Sequence, residues 1–115
     1  MIFGAHVIFY SADADADRAF LRDTIGLKGV DIGHGWLIFA LPPAEAAVHP
    51  AEGAPRHELY LMCDDLPAEI ARLQAAGVPC SKVNEERWGS ITMLTLPSGA
   101  SLGLYQPKHA LAIER

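Results

Sequence analysis

The sequence predicts an α+β fold of two tandem βαβββ modules that curve a sheet around a central cleft. Three features carry this. The chain repeats itself, each copy opens on a histidine within an apolar run, and each copy continues through a glycine-terminated helix into short strand-like runs. Placing each residue over the one 51 positions later aligns His6 with His57, Phe9 with Tyr60, Asp13 with Asp64, Ala19 with Ile70 and Gly26 with Gly77, without a gap. Identical residues are few, but every matched pair has the same structural job in both copies.

The opening runs, Ala5–Tyr10 and His57–Met62, are apolar and aromatic-rich and of strand length. Asp13 and Asp64–Asp65 follow as helix N-caps, because a carboxylate there accepts the free amide hydrogens of the first turn. Ala16, Ala19, Phe20 and Leu21 recur at helical spacing in copy one, as do Ile70, Leu73 and Ala76 in copy two. Pro67 suits a first helical turn, where its missing N–H costs nothing. Gly26 and Gly77 stand where a left-handed helix stop belongs. Copy one then predicts strands near Leu27–Ile32, Trp36–Leu41 and Glu45–His49, punctuated by Gly33-His34-Gly35 and Pro42-Pro43. Copy two predicts Pro79–Asn84, Trp88–Leu96 and Ala100–Gln106, the last two joined by a Pro97-Ser98-Gly99 turn.

The 115 residues make a single domain: module one spans about 4–49, a linker about 50–55 with Gly53 inside it, module two about 56–107, and a C-terminal tail 108–115. A formal net charge of −5 and the lack of any Lys/Arg run exclude a nucleic-acid partner. The longest apolar stretch, Trp36 to Leu41, is far too short to span a membrane, so no membrane association is expected. The Met-Ile-Phe-Gly-Ala-His start has no basic lead and no long apolar run, so no export signal is expected. Cys63 and Cys80 are outside any C-x-x-C pattern, and two lone thiols suit a reducing, cytoplasmic compartment.

Side chains alternate across a strand, so parity assigns faces. Ala5, Val7 and Phe9 are expected to meet the first helix, sending His6, Ile8 and Tyr10 to the cleft. In the second copy Tyr60 and Met62 are expected to face the helix, with Glu58 beside them near the strand end. His57, Leu59 and Leu61 then face the cleft. Paired imidazoles from the two halves are a start for a divalent metal site.

The order and spacing of these motifs resemble the vicinal oxygen chelate superfamily, which includes glyoxalase I, extradiol dioxygenases, fosfomycin resistance enzymes and bleomycin resistance proteins. The carriers are His6 and His57, the Asp-capped helices ending in Gly26-Leu27 and Gly77-Val78, and the closing Trp88-Gly89, Leu96-Pro97-Ser98-Gly99 and Leu104-Tyr105-Gln106-Pro107. The resemblance runs from about Gly4 to Pro107 and implies the glyoxalase/bleomycin resistance/dioxygenase fold and a homodimer.

In metal-dependent members the resemblance implies a ligand on each opening and each closing strand. His6 and His57 take the opening positions. The closing strand of copy two usually reads Glu-Leu-Tyr-Gln, whereas this chain reads Gly103-Leu104-Tyr105-Gln106, and the matching place in copy one is Ala47. Both carboxylates are absent. Glu45 and His49 share parity with Ala47, so either is a candidate third ligand. The cofactor implied is a divalent metal, Zn, Ni, Mn or Fe, if any.

Candidate ligand-binding residues are Tyr10 and Tyr105, with cleft parity and a hydroxyl to orient a small molecule, Trp88, able to stack, and Ile8 and Leu59 as apolar walls. Gly103, on the Tyr105 face, is expected to leave room for a ligand. His34 and His109 are expected in solvent, and Arg87 in an exposed loop. Asp13, Asp15 and Asp17 lack the glycine and distal glutamate of a calcium loop and read as helix capping. Two functions follow. One is a small-molecule-binding protein with an incomplete metal-ligand set, acting by sequestration or resistance. The other is a divalent-metal-dependent lyase, isomerase or dioxygenase on a small oxygen-chelating substrate.

Overall fold

The structure, a computed structural model, describes residues 6–45, 47, 49–50, 52–54 and 56–113. It is a mixed α+β fold with a two-stranded and a four-stranded sheet. Helix α1 (Ala14–Ala19) starts at Asp13, whose side chain accepts the Ala16 N–H at 3.2 Å. It runs on as a π-helical turn over Phe20–Ile25 and stops at Gly26, where φ is 86°. The wider i→i+5 winding brings Phe20 and Ile25 toward one face, and both pack on the core. Strands β1 (Gly29–Asp31) and β2 (Leu37–Phe39) form a hairpin around Gly33-His34-Gly35. Asp31 holds that turn by accepting the Gly33 N–H at 2.8 Å.

Module two folds as the repeat predicts. Strand β3 (Tyr60–Met62) leads to helix α2 (Leu66–Ala75), capped by Asp65 and stopped at Gly77 (φ 84°). Strands β4 (Asn84–Glu86), β5 (Gly89–Thr95) and β6 (Ser101–Pro107) complete a sheet of order β3-β6-β5-β4. β3 runs parallel to β6, and the other pairs are antiparallel. The predicted strand at Pro79–Asn84 forms later, at 84–86, with Cys80 making only a bridge to Leu94.

One face of this sheet carries the core. Leu94, Leu96, Leu102 and Leu104 meet Leu66 and Leu73 of α2, and Phe20 joins them from the first module. Leu59, Leu61 and Cys63 pack against the same cluster. Expected orientation and structure therefore differ for the opening strand of module two. Tyr60 and Met62 lie opposite Gly103 and Tyr105, on the face away from the helix, whereas Leu59 and Leu61 turn inward. The physical reason lies at Glu58: the reversed parity keeps its carboxylate in solvent instead of placing an ion on the core side.

The two modules are joined by Asp17, which is 5% exposed. Its carboxylate accepts the Ser11 hydroxyl at 2.7 Å and the Ser98 N–H at 3.1 Å. Arg72 of α2 adds a bond to the Thr24 carbonyl at 3.1 Å.

Module one is less complete. Among the described residues, 6–10 and 45–49 form no strand, so the expected strands at Ala5–Tyr10 and Glu45–His49 are not observed there; Ala5, Ala46 and Val48 lie outside the described residues. Several apolar side chains of this half outside its helix face outward: Ile8 is 62% exposed, Val30 63%, Ile32 64% and Trp36 62%. A strand forms only against a partner strand that satisfies its backbone, and among the described residues none pairs with 6–10. Among the described residues no helix is long and apolar enough to cross a membrane.

Candidate functional site

The open face of the module-two sheet is an aromatic surface centred on Tyr105. Its ring meets the edge of Trp88 (centroids 5.4 Å apart, planes at 78°) and of Tyr60 (6.0 Å, 87°). These are the offset, edge-to-face contacts that ring quadrupoles favour. The Tyr105 hydroxyl lies 3.2 Å from the Met62 sulfur and 3.3 Å from His109 Nε2. Burial, with the nearby negative Glu45 second, pushes the Tyr105 phenol above its ordinary value.

Two glycines make the surface possible. A Cβ on Gly103 would lie 2.7 Å from Tyr60 Cγ and closer still to two other ring carbons. A Cβ on Gly89 would lie 2.9 Å from the Gln106 carbonyl oxygen and 3.0 Å from Tyr105 Cδ2. Only hydrogen fits at either place. The space beside Gly103, expected to be free for a ligand, is filled by the Tyr60 ring.

The rim is polar. Tyr60 donates its hydroxyl to Glu58 at 2.7 Å, and Arg56 Nε donates to the other Glu58 oxygen at 2.9 Å. The Tyr60 bond and then the Arg56 bond hold the Glu58 carboxyl below its ordinary value, with a smaller contribution from the charge of His49. The same Glu58 bond raises the Tyr60 phenol.

Of the residues named from sequence, Tyr105 and Trp88 stand together, while Glu45 meets the backbone of Ala112 and Ile113. Tyr10 is 91% exposed and makes no part of the cluster, and Ile8 is equally outside it. Leu59 is turned to the core. His6 and His57 are both exposed. Tyr60, Met62, Glu58 and His109 were missed. His109 is exposed, as expected, and also contacts Tyr105. Glu58 was the available signal, because a carboxylate marks the wet face of its strand and would have placed Tyr60 and Met62 beside it. Two grooves of about 600 and 540 Å³ lie on the helix side and share none of the aromatic residues.

No family model and no curated protein matches this sequence. Solved structures do. TnmS3, an antibiotic binding protein from Streptomyces sp. CB03234, is 28% identical with a TM-score of 0.68, over 94% of this chain and 99% of that one. A glyoxalase/bleomycin resistance protein from the same Streptomyces is 30% identical with a TM-score of 0.58, over 84% of this chain and 93% of that one. This chain belongs to the glyoxalase/bleomycin resistance/dioxygenase superfamily. A lactoylglutathione lyase from Agrobacterium tumefaciens shares the fold at 22% identity and a TM-score of 0.63, over 85% of this chain and 88% of that one.

The superfamily resemblance implies a divalent metal, and the described residues do not fit one. The closing-strand position is Gly103, and the Tyr60 ring occupies the space into which a longer side chain would project. Glu45, a candidate third ligand, gives its carboxylate to the backbone N–H groups of Ala112 and Ile113. Among the described residues no three His, Cys, Asp or Glu side chains converge as metal ligands do.

Proposed function

We propose that this protein binds a planar aromatic small molecule on the open face of its second module and sequesters it without transforming it. The observation that carries this reading is the Tyr60–Tyr105–Trp88 cluster built over Gly103, the place where the superfamily resemblance implies a metal-binding carboxylate. Stacking surface has replaced a ligand atom. Tyr105 and Trp88 supply edges and faces to a multi-ring ligand, and Met62 adds a soft, adaptable contact. Glu45 and Glu58 at the rim, within a chain of net charge −5, favour a neutral or cationic ligand over an anionic one. Similarity to an antibiotic binding protein supports sequestration or resistance as the biological use. The two free, half-buried thiols support a reducing, cytoplasmic setting.

The reading includes a homodimer. The unpaired segment 6–10 and the outward Val30, Ile32 and Trp36 form the kind of apolar surface that soluble chains cover, and a second copy is the partner that would complete the first module.

The test is titration with two flat probes, ethidium (cationic) and anthraquinone-2-sulfonate (anionic), in a Trp36→Phe background that leaves Trp88 as the sole indole. Saturable quenching of Trp88 and a raised melting temperature are expected, with ethidium the tighter probe. At a hundredfold excess over Kd the stabilisation is about 2.7 kcal/mol. Failure of both probes to bind, or binding indifferent to Trp88→Ala and Tyr105→Ala, would overturn the proposal.

A further inference from the structure

Residues 108–113 lie in no helix or strand, yet their path is fixed at several points. Lys108 donates its backbone N–H to the Trp88 carbonyl at 2.9 Å, and its ammonium pairs with Glu85 at 2.7 Å. The His109 ring lies 6.1 Å from the Tyr105 ring at a tilt of 36°. Further on, the successive N–H groups of Ala112 and Ile113 both donate to one oxygen of Glu45. Glu45 comes from the first module, 67 residues earlier than Ala112. The segment therefore starts at Trp88, passes Tyr105 and is tied down on the opposite module. Bonds to an ionised carboxylate are stronger than neutral ones, so the Glu45 end is the firm attachment.

We infer that segment 108–113 is a strap across the aromatic face, latched by Glu45, and that it governs how solutes reach Tyr105 and Trp88. This gating role rests on the reading of that face as the ligand site. His109 covers one edge of Tyr105, so a multi-ring ligand reaches that edge only when the strap lifts. The strap buries little apolar surface: Leu111 is 38% exposed and Lys108 and His109 are exposed. Segments of that kind open locally while the sheet stays folded. The Glu45 carboxylate is thus a positioning group that acts on the site through the strap.

The test uses full-length chain in the Trp36→Phe background, with Glu45→Gln, Glu45→Ala and Ile113→Pro, the last removing a donor while leaving the carboxylate. Far-ultraviolet circular dichroism and the melting temperature establish that each variant is folded. Amide hydrogen exchange at Ala112 is expected to quicken about tenfold in Glu45→Ala, and acrylamide quenching of Trp88 to rise about twofold. Ethidium association is expected to speed up in parallel. Unchanged exchange in all three variants would overturn the strap. Faster exchange with unchanged Trp88 quenching would overturn its control of access. If neither ethidium nor anthraquinone-2-sulfonate binds even the parent chain, the ligand reading falls, while exchange and quenching still decide whether the strap exists.

Discussion

The Tyr60 ring lies over Gly103, so that the closing strand has no room for any side chain at the position where the superfamily resemblance implies a metal carboxylate. Gly103→Ala is expected to lower stability by about 1–3 kcal/mol, the usual cost of overpacking. In a Tyr60→Ala background most of that cost should vanish, because the opposing ring is gone. Urea unfolding of the four chains of this double-mutant cycle measures the coupling.

The metal content follows from the same relationship. Protein purified without a histidine tag is expected to carry no stoichiometric Zn, Ni, Mn or Fe. A chelator should leave its melting temperature unchanged, since removal of a ligand held only by the native state would lower it. His6→Ala with His57→Ala should change neither result. Elemental analysis and thermal melting check this, and metal that binds at one equivalent and is lost in the double variant would contradict it.

Acid stability should depend on Asp17. Burial on its own raises this carboxyl, but the Ser11 hydroxyl and the Ser98 contacts outweigh it, and the group titrates below its ordinary 3.8. A depressed folded value means that the contribution is fully present above the unfolded value and is lost as pH falls through the folded one. Asp17→Asn is therefore expected to cost about 1–3 kcal/mol near neutral pH. The gap from the parent chain should narrow as pH drops below 3.8, which urea titrations across the acid range will show.

Glu58 gives a local reporter of the rim. Its carboxyl sits below the ordinary value first because Tyr60 donates to it and then because Arg56 does. Tyr60→Phe should move the Glu58 titration upward with little change in fold, and carboxyl carbon shifts followed by NMR against pH measure the movement.

The helices were legible in the sequence because their signals are local and chemical. Asp13 and Asp65 cap them through their own side chains, and Gly26 and Gly77 stop them with positive φ. The face of β3 was not legible from hydrophobicity, since Leu59 and Leu61 are as apolar as Tyr60 and Met62. Beside the Glu58 carboxylate, the pairing that accommodates the bulk of Tyr60 is with the missing side chain of Gly103, and it joins residues far apart in the chain. Trp88 and Tyr105 were singled out for their rings, and the structure brings those rings into contact. His109 was missed because it follows the last strand, where no periodicity speaks. Tyr10 and Ile8 were placed on a strand by pattern alone, and a strand needs a neighbour that pattern cannot provide.

The Asp17–Ser98 bond spans 81 residues, and Phe20 shares its burial with Leu94 and Leu96. This fixes an order of events during synthesis. The first helix leaves the ribosome long before the turn and strands that receive it exist. Until β5 and its turn have emerged, Phe20 has no cavity to enter and Asp17 no amide to bind. Docking of the first helix therefore waits on residues 94–98.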